Sequence, residues 1–311
     1  MGSWAQTLLA SSNCARCYTF RPRGPRNGGV NTIAVIAKRD KPEAVTLAQQ
    51  LKSRYPPLKF VAEIQLAQAL GWPTVNEESE LGAIADLVIV LGGDGTLIHA
   101  SRLLRGAAVP ILGINLGSLG FMTEVPSSEM LPMVDEVLAG NFRIDSRMKL
   151  RCRIFRSGEV HLEDEVLNDV VINKGALARI GDHEMLMNGQ YVTTFKSDGV
   201  IVATPTGSTA YSMSAGGPIV HPSMDAMIVA PICPHALTQR PIVVPGDQSI
   251  SIELKSDVPD FYLTIDGQTG HRLNKGDRLD VHKSPNRVLL IRNPRLDYFS
   301  ILRQKLRWGE R

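Results

Sequence analysis

One stretch carries the strongest structural signal: Leu87-Val88-Ile89-Val90-Leu91-Gly92-Gly93-Asp94-Gly95-Thr96. Its five apolar residues are typical of a buried strand in a parallel sheet, and a helix-like segment, residues 97–101, follows the glycines. A glycine-rich turn between a strand and a helix places backbone N–H groups where a phosphate can bind. Because Asp94 lies among those donors, its carboxylate is placed to contact a hydroxyl group or a metal ion. The stretch therefore predicts phosphoryl-transfer or nucleotide chemistry.

The composition is that of a globular protein and argues against nucleic-acid and membrane partners. The 311 residues are enough for one large domain or two ordinary ones, and 43% are hydrophobic. No apolar run approaches the ~18 residues that span a bilayer. The net charge is +3, but residues 1–30 hold four arginines and no acid, so the rest of the chain carries −1. Residues 31–311 are therefore nearly neutral and lack the excess positive charge that is typical of nucleic-acid binding.

The four cysteines are too few and too scattered for a disulfide framework. This favours a reducing compartment, and we expect a cytoplasmic protein. Cys14 and Cys17 form a lone C-x-x-C without a second pair at zinc spacing, so an inert pair is favoured over a metal site. Residues 1–30 are basic and lack periodicity, which favours a disordered extension; a transit peptide or an upstream start codon chosen in error are the alternatives.

The pattern of apolar residues changes near residue 145. Before it, apolar runs at 32–37, 87–91 and 111–114 alternate with helical spacing, which predicts a parallel sheet covered by helices on both faces. After it, short alternating stretches separated by Gly, Asn and Asp predict β structure. These stretches are 149–155, 165–172, 184–187, 190–195, 249–254, 262–265 and 288–291.

We therefore predict an α/β domain over 31–144, a β-rich domain over 145–292 and a C-terminal helical segment over 293–311 that packs back on the first domain. A ligand site is expected between the two domains. A second glycine-rich turn, Gly113-Ile114-Asn115-Leu116-Gly117-Ser118-Leu119-Gly120-Phe121, follows the next strand. Adjacent loops at the carboxyl ends of parallel strands line one crevice, so Asn115 either binds a ligand there or caps its own turn.

A third segment is crowded with hydroxyl groups: Asp198-Gly199-Val200-Ile201-Val202-Ala203-Thr204-Pro205-Thr206-Gly207-Ser208-Thr209-Ala210-Tyr211-Ser212. Seven hydroxyl-bearing residues stand between Thr204 and Ser214, more than a helix cap needs. Such a loop suits a ribose and a pyrophosphate, and Tyr211 offers a face for a purine ring. No Walker-type phosphate loop and no G-x-G-x-x-G fingerprint occurs, so any nucleotide site is built differently.

Two shorter motifs, Asn168-Asp169 and Asp266-Gly267-Gln268, are each more typical of a turn than of a site when taken alone. Taken in order with the others, however, they resemble the NAD kinase family. The resemblance includes Gly216-Gly217-Pro218-Ile219 and Pro231-Ile232-Cys233-Pro234-His235 and covers residues 31–300. Diacylglycerol, sphingosine and phosphofructo kinases have a motif like residues 92–96, whereas the hydroxyl-rich motif and the order are more specific.

The resemblance implies a phosphofructokinase-like α/β domain followed by an all-β domain that binds NAD. It also implies phosphorylation of the 2′-hydroxyl on the adenosine ribose of NAD, giving NADP, with ATP or polyphosphate as donor. A divalent cation, usually Mg²⁺, and a homodimer or homotetramer are implied as well. The sequence leaves open which donor is used, whether NADH is accepted and whether NADPH inhibits.

The resemblance also assigns site residues. Asp94 matches the family's catalytic aspartate, and Gly92, Gly93, Gly95 and Thr96 form the expected phosphate-donor loop. The expected NAD-binding residues are Asp94, Gly95, His99, Asn168, Asp169, Arg179, Lys196, Asp198, Thr209, Ala210, Tyr211, Ser212 and Gln268. Among these, either Arg179 or Lys196 is expected to neutralise a phosphate of the dinucleotide.

An unperturbed aspartate has a pKa near ~3.9, so Asp94 is a poor base for a ribose hydroxyl in the ground state. In a loose phosphoryl-transfer transition state the proton leaves late, and we expect Asp94 to orient the hydroxyl and accept its proton as the new bond forms. Two alternatives stay open. A lipid kinase would need an apolar channel or a membrane-facing surface; a non-catalytic NAD sensor would be expected to lack the Asp94 carboxylate.

Overall fold

The computed structural model describes residues 29–39, 41–73, 80–176, 178–256 and 260–309. Residues 1–28, with Cys14 and Cys17, lie outside the described residues, and what the sequence predicts for them stays a prediction. The N-terminal half alternates strands and helices: β1 (Thr32–Ala37), α1 (Pro42–Arg54), β2 (Lys59–Ala62), α2 (Ile64–Leu70), α3 (Leu81–Ile84), β3 (Leu87–Gly92), α4 (Asp94–Leu103), β4 (Pro110–Asn115), β5 (Val125–Pro126) and α5 (Met130–Leu138).

Strands β2, β1, β3 and β4 lie side by side in that order, and all three pairings are parallel. Successive residues of β1 face opposite sides of the sheet. Ile33 and Val35 pack in one core cluster with residues of α1, α2 and α5, whereas Ala34 and Ile36 pack in another with residues of α3 and α4. The prediction of a parallel sheet covered on both faces is confirmed.

The C-terminal half consists mainly of strands. Its elements are β6 (Arg143–Arg156), β7 (Glu159–Val166), β8 (Asp169–Lys174), β9 (Gly181–Met187), β10 (Gln190–Ser197), β11 (Gly199–Ala203), α6 (Tyr211–Ser214), β12 (Ala226–Ile232), β13 (Ile242–Pro245), β14 (Ile250–Leu254), β15 (Phe261–Ile265), β16 (Thr269–Leu273), β17 (Arg278–Arg292) and α7 (Tyr298–Leu306). Antiparallel pairing joins β13, β12, β11, β8, β15 and β16, in that order, into one sheet. Val170 and Val202 of that sheet share a core with Leu150 and Ile250 of the other.

The long strand β17 belongs to both halves of the molecule. Its end, from Leu289 to Ile291, pairs in parallel with β4, whereas its beginning pairs antiparallel with β14. Strand β6 pairs antiparallel with β17 along the length of β17. Among the described residues, one sheet of eleven strands therefore runs from β2 to β10. The boundary predicted between residues 144 and 145 lies inside β6, where the backbone continues from one half into the other.

One strand predicted from the sequence, residues 165–172, is wrong. β7 ends at Val166 and β8 begins at Asp169. Between them, the N–H groups of Leu167 and Asn168 donate to the Asp266 carboxylate at 3.0 and 2.7 Å. Because those two donors are bound by a side chain, they are lost to the ladder of a continuous strand.

Helix α7 follows β17 and contacts both halves. Asp297 caps its N-terminus by accepting hydrogen bonds from the N–H groups of Phe299 and Ser300. The Lys305 ammonium lies 5.5 Å from the ring centroid of Phe121 in the α/β half, and the Tyr298 ring lies 4.8 Å from that of His221 in the β half. No helix in the described part of the chain is long and apolar enough to cross a membrane.

Candidate active site

Asp94 is the first residue of α4, and its carboxylate is held by the turn that follows β4. We call residues 113–123 the second turn. Oδ1 accepts hydrogen bonds from the N–H groups of Met122 and Thr123, both at 3.0 Å, and from the Thr123 hydroxyl at 3.1 Å. Oδ2 accepts one, from the Phe121 N–H at 2.7 Å. The second turn thus fixes the carboxylate and leaves a lone pair free on Oδ2.

Glycine is required at one position in each of the two turns. A Cβ on Gly120 would lie 2.2 Å from Asp94 Oδ1, and a Cβ on Gly92 would lie 2.4 Å from Thr96 Oγ1. A Cβ on Gly95, by contrast, would meet no atom within 4 Å. The backbone at Gly95 therefore faces open space in which a ligand can approach it.

Two buried carboxylates lie next to each other at the start of β8. Asp266, in the turn between β15 and β16, accepts hydrogen bonds from the N–H groups of Leu167, Asn168 and Asp169. Asp169 is 4% exposed, and within the described residues its Oδ2 has no hydrogen-bond partner. Burial, and then repulsion by Asp266, raises the pKa of Asp169 to about 7, against the effect of a hydrogen bond from the Tyr211 N–H.

Burial also raises the pKa of Asp266, although the three backbone N–H groups act in the opposite direction. The neighbouring Asn168 has a buried Oδ1 that lacks a partner in the described part of the chain. Asn168 and Asp169 therefore carry buried oxygen atoms without donors. Such atoms are costly to leave unsatisfied, and they are suited to accept hydrogen bonds from a nucleoside.

The hydroxyl-rich loop, residues 204–214, uses several of its hydroxyls to hold its own shape. The Thr204 hydroxyl donates to the Leu167 carbonyl at 2.6 Å, and that of Ser208 donates to the Pro205 carbonyl at 2.7 Å. The Thr209 hydroxyl donates to the Thr206 carbonyl at 3.2 Å. These three hydroxyls bind backbone carbonyls of the protein itself. Fewer hydroxyls are therefore available to a ligand than the seven counted in the sequence.

Two residues of this loop have side-chain groups that are available to a ligand. The Tyr211 side chain is 39% exposed, and the Ser212 Oγ is buried without a partner in the described residues. A Cβ on Gly207 would lie 2.0 Å from the Asn168 carbonyl oxygen, so the loop packs directly on the start of β8. The N–H of Tyr211 in turn donates to Asp169.

Gln268 joins the two halves of the site. Its Nε2 donates to the Gly95 carbonyl at 2.9 Å, while Asp266, two residues earlier, binds the start of β8. The four motifs found in the sequence are therefore connected: Gly95, next to Asp94, contacts Gln268, whose turn binds Asn168 and Asp169, and Asp169 binds the hydroxyl-rich loop.

A cavity of about 1000 Å³ lies beside the Gln268–Gly95 hydrogen bond. Four cationic side chains line it, those of Arg102, Arg105, Lys149 and Arg151, together with His99 and the carboxylates of residues 163–165. Arg102 and Lys149 form ion pairs with Asp164 at 3.1 Å and Glu165 at 2.9 Å, respectively.

Two protein-family models match the chain. The ATP-NAD kinase N-terminal domain model matches residues 62–142, and the ATP-NAD kinase C-terminal domain model matches residues 167–293. The chain belongs to the NAD kinase family. It is 50% identical over 286 residues to the NAD kinase of Citrifermentans bemidjiense and 47% identical over 281 residues to that of Geotalea daltonii. Each alignment covers 90% of this chain and 99% of the relative.

Two solved structures share the fold. The yeast NADH kinase complexed with NADH has a TM-score of 0.85 at 25% identity, over 92% of this chain and 90% of that one. The NAD kinase from Archaeoglobus fulgidus in complex with ATP has a TM-score of 0.70 at 24% identity, over 89% of this chain and 98% of that one. The family resemblance and the fold class predicted from the sequence are both confirmed.

Three residues that the NAD kinase resemblance assigned to NAD binding lie apart from Asp94. Asp198 precedes β11 beside Lys174, with 3.8 Å between its Oδ1 and the Lys174 Nζ, whereas Asp169 is at the other end of β8. The five-residue separation corresponds to about 17 Å along the strand. Arg179 and Lys196 are exposed; Arg179 lies just before β9, and Lys196 lies in β10 opposite Asp182. Within one chain these three residues are not brought together with Asn168 and Asp169.

The remaining site residues are placed as follows. His99 on α4 lines the cavity, and its Nε2 lies 3.7 Å from Oε2 of the buried Glu63. Asn115 caps its own turn, since its Oδ1 accepts a hydrogen bond from the Gly117 N–H at 2.7 Å. Sequence reasoning missed the role of the Phe121, Met122 and Thr123 backbone. The glycines of the second turn, at the same sheet edge as Asp94, were the signal that could have found it.

Proposed function

We propose that this protein transfers a phosphoryl group from ATP to the 2′-hydroxyl on the adenosine ribose of NAD, giving NADP. The observation that carries the proposal is the connection of all four motifs through the turn 266–268, which contacts Gly95 and the start of β8. This connection supports a single site that includes the Asp94 loop and the unpartnered oxygens of Asn168 and Asp169. The relatives described above are named NAD kinases at high identity.

Asp94 orients the hydroxyl that attacks. Oδ1 is saturated by three donors, so Oδ2, with one donor, is the oxygen that accepts a hydrogen bond from the 2′-hydroxyl. In a loose transition state the proton moves late, and Oδ2 receives it as the phosphorus–oxygen bond forms. Four fixed donors hold the carboxylate in place, so no reorganisation is needed at that moment.

Asn168, Asp169 and residues 209–212 together bind the adenosine of NAD. The buried Oδ1 of Asn168 and Oδ2 of Asp169 accept hydrogen bonds from donor groups of the ligand. Ser212 offers a buried hydroxyl and Tyr211 an exposed ring for the purine face. An apolar pocket alone would lack this directional recognition.

The phosphoryl donor occupies the cavity beside Gly95, where Arg102 and Arg105 lie on and after α4. Cationic side chains stabilise charge on a transferring phosphoryl group. The described residues include no cluster of three or more His, Cys, Asp or Glu side chains able to hold a metal ion. This fits a Mg²⁺ ion bound chiefly by the phosphates of the donor, which it would neutralise. Polyphosphate as an alternative donor stays open.

A homo-oligomer is part of the proposal. Asp198 lies about 17 Å along β8 from Asp169, too far to reach the same nucleoside. Lys196 lies in β10 of the other sheet and Arg179 just before β9, so a second copy supplies all three residues to the dinucleotide. A cytoplasmic location also stays a prediction. A non-catalytic sensor is less well supported because Asp94 is present. A lipid kinase is less well supported because the ATP-NAD kinase C-terminal domain model matches residues 167–293, which include the hydroxyl-rich loop.

The test is NADP formation by the purified protein with NAD, ATP and Mg²⁺, followed with an NADP-specific dehydrogenase. Asp94→Asn is expected to lower kcat by about 100-fold or more, because the 2′-hydroxyl loses its oriented acceptor. NAD binding, measured by calorimetry, is expected to stay within about fivefold of the parent, since a weakened hydrogen bond costs about 1 kcal/mol. Lipid phosphorylation without NADP would establish a lipid kinase, and NAD binding without turnover would establish a sensor.

A further inference from the structure

Four charged side chains are buried together where the two halves of the molecule meet. Arg292 Nε lies 2.7 Å from Glu124 Oε1, and its Nη1 lies 2.8 Å from Asp145 Oδ2. Arg147 Nη2 lies 2.9 Å from the same Asp145 oxygen. We call these residues, Glu124, Arg292, Asp145 and Arg147, the junction network. The side chains are between 2% and 19% exposed, so water does not screen these ion pairs strongly.

Each end of the junction network contacts one half of the candidate site. Glu124 directly follows Thr123, whose N–H and hydroxyl hold Asp94 Oδ1. At the other end, Arg147 Nη1 donates to the Thr206 hydroxyl at 3.3 Å. Thr206 belongs to the hydroxyl-rich loop, and its carbonyl accepts a hydrogen bond from the Thr209 hydroxyl. An unbroken series of contacts thus leads from Asp94 to the loop assigned to the adenosine.

Stability alone is a weak reason for such an arrangement. Burying ions costs desolvation free energy that can exceed their mutual attraction, whereas their fixed geometry can specify one packing arrangement. Both arginines are shared, Arg292 between two carboxylates and Arg147 between a carboxylate and a hydroxyl. The planar guanidinium fixes the angle as well as the distance between its partners.

We propose that the junction network is a positioning device that sets the spacing between Asp94 and the hydroxyl-rich loop, so that each loop is held in register with the other. Its four members are positioning residues that do not touch the substrate. The expected effect on catalysis rests on the proposed function: if the hydroxyl-rich loop binds the adenosine, its distance from Asp94 sets the distance between the NAD ribose and Asp94. The structural coupling between the loops does not depend on that function.

Coupling between the loops is tested first without activity. Hydrogen exchange, followed by mass spectrometry, is compared for peptides covering residues 117–125 and 204–212 in the full-length protein. Thr206→Val removes the Arg147 acceptor with little change of volume, and Glu124→Gln removes the charge at the opposite end. Each variant is expected to speed exchange about fivefold in both peptides, including the distant one. Exchange that changes only in the peptide holding the substitution would overturn the proposal.

Arg156→Lys is the matched control. Arg156 also forms a close ion pair, 2.7 Å from the buried Asp277, but neither residue contacts the site. This variant replaces the planar guanidinium of a close ion pair and is expected to leave exchange in both peptides unchanged, which separates positioning from a general effect of altering an ion pair. Equal effects of Arg156→Lys on both peptides would also contradict the proposal.

Kinetics then test the register itself. Thr206→Val is expected to raise the KM for NAD about tenfold with little effect on kcat, and Glu124→Gln to lower kcat about tenfold. In the double variant kcat/KM is expected to fall by less than the product of the two single effects, since both substitutions break one network. Additive effects would contradict a shared device. If the unmodified protein made no NADP, the proposed function would fail, while the exchange experiment would still decide whether the network couples the loops.

Discussion

At the scale of single residues, the close approach of Gly120 to Asp94 allows a precise test of how the carboxylate is held. Gly120→Ala would place a methyl group 2.2 Å from Asp94 Oδ1 and 2.3 Å from Thr123 Oγ1, so the turn and the carboxylate must separate. We expect kcat to fall about 100-fold, because small displacements of catalytic groups are costly. Steady-state NADP formation measures the effect.

Gly117→Ala is the control in the same turn. Its Cβ would come no closer than 3.9 Å to a neighbouring atom, the Oδ1 of Asn115. We therefore expect nearly unchanged kinetics for this variant. Equal losses for Gly120→Ala and Gly117→Ala would mean that flexibility of the turn, rather than its contact with Asp94, limits the rate.

Asp169 gives the protein a pH-dependent stability. Burial and the Asp266 charge raise its pKa from 3.8 to about 7, so between these values the folded state holds a proton that the unfolded state has released. The stabilisation is therefore complete below the unfolded pKa and is lost as the pH rises through about 7. Between about pH 5 and pH 8 the free energy of unfolding is expected to fall by about 2–3 kcal/mol for this group.

Asp169→Asn removes both this titration and the repulsion on Asp266. Urea unfolding of the parent and the variant across that pH range measures the difference. The variant is expected to show a clearly flatter dependence on pH. An identical slope in the two proteins would show that Asp169 is ionised in the folded state throughout the range.

At the level of secondary structure, the local pattern of apolar residues predicted most of the helices and strands but missed features that are short or that depend on distant residues. Continuous apolar runs identified β1, β3 and β4, because strands buried on both faces contain few polar residues. The short strand β2 was not identified, since four residues give too little periodicity for a prediction. The break at residues 167–168 was missed because its cause, the Asp266 carboxylate, is almost one hundred residues away in the sequence.

The same limit applies to the site. Motifs and their order identified the family and the turn that carries Asp94, because a glycine-rich strand-to-helix connection has a local signature. The donors that hold Asp94 come from another turn, and nothing local assigns a backbone N–H to a carboxylate 27 residues earlier. The hydroxyl groups of residues 204–209 were read as free for a ligand, yet several satisfy backbone carbonyls that only the folded loop brings near.

At the scale of the whole molecule, one sheet runs through both halves, so the α/β half and the β half share strands β6 and β17. A ligand that binds between the halves would therefore contact elements of a continuous sheet rather than two independently hinged domains. The other sheet fixes Asp198 at the end of β8 opposite to Asp169, about 17 Å away along the strand. No small rearrangement of loops brings these two carboxylates to one ribose.

A complementation experiment tests whether a second copy supplies Asp198. Asp94→Asn and Asp198→Asn are each expected to lower activity, the second mainly through the KM for NAD. Co-expressed with two affinity tags and purified as mixed oligomers, they are expected to recover activity, because one site of each mixed pair receives both native residues. Purified mixed dimers are expected to have roughly half of the parent activity, since one of the two sites in each is intact.

The matched control pairs Asp94→Asn with Asn168→Ala. Gly95, next to Asp94, and Asn168 both bind the turn 266–268 of one chain, so every site in the mixed oligomer lacks one of the two native side chains and no activity should return. Recovery with Asp198→Asn but not with Asn168→Ala would establish that each site is built from two chains. Failure of both pairs, with mixed oligomers verified by mass, would place Asp198 outside the NAD site and refute its carry-over from the family resemblance.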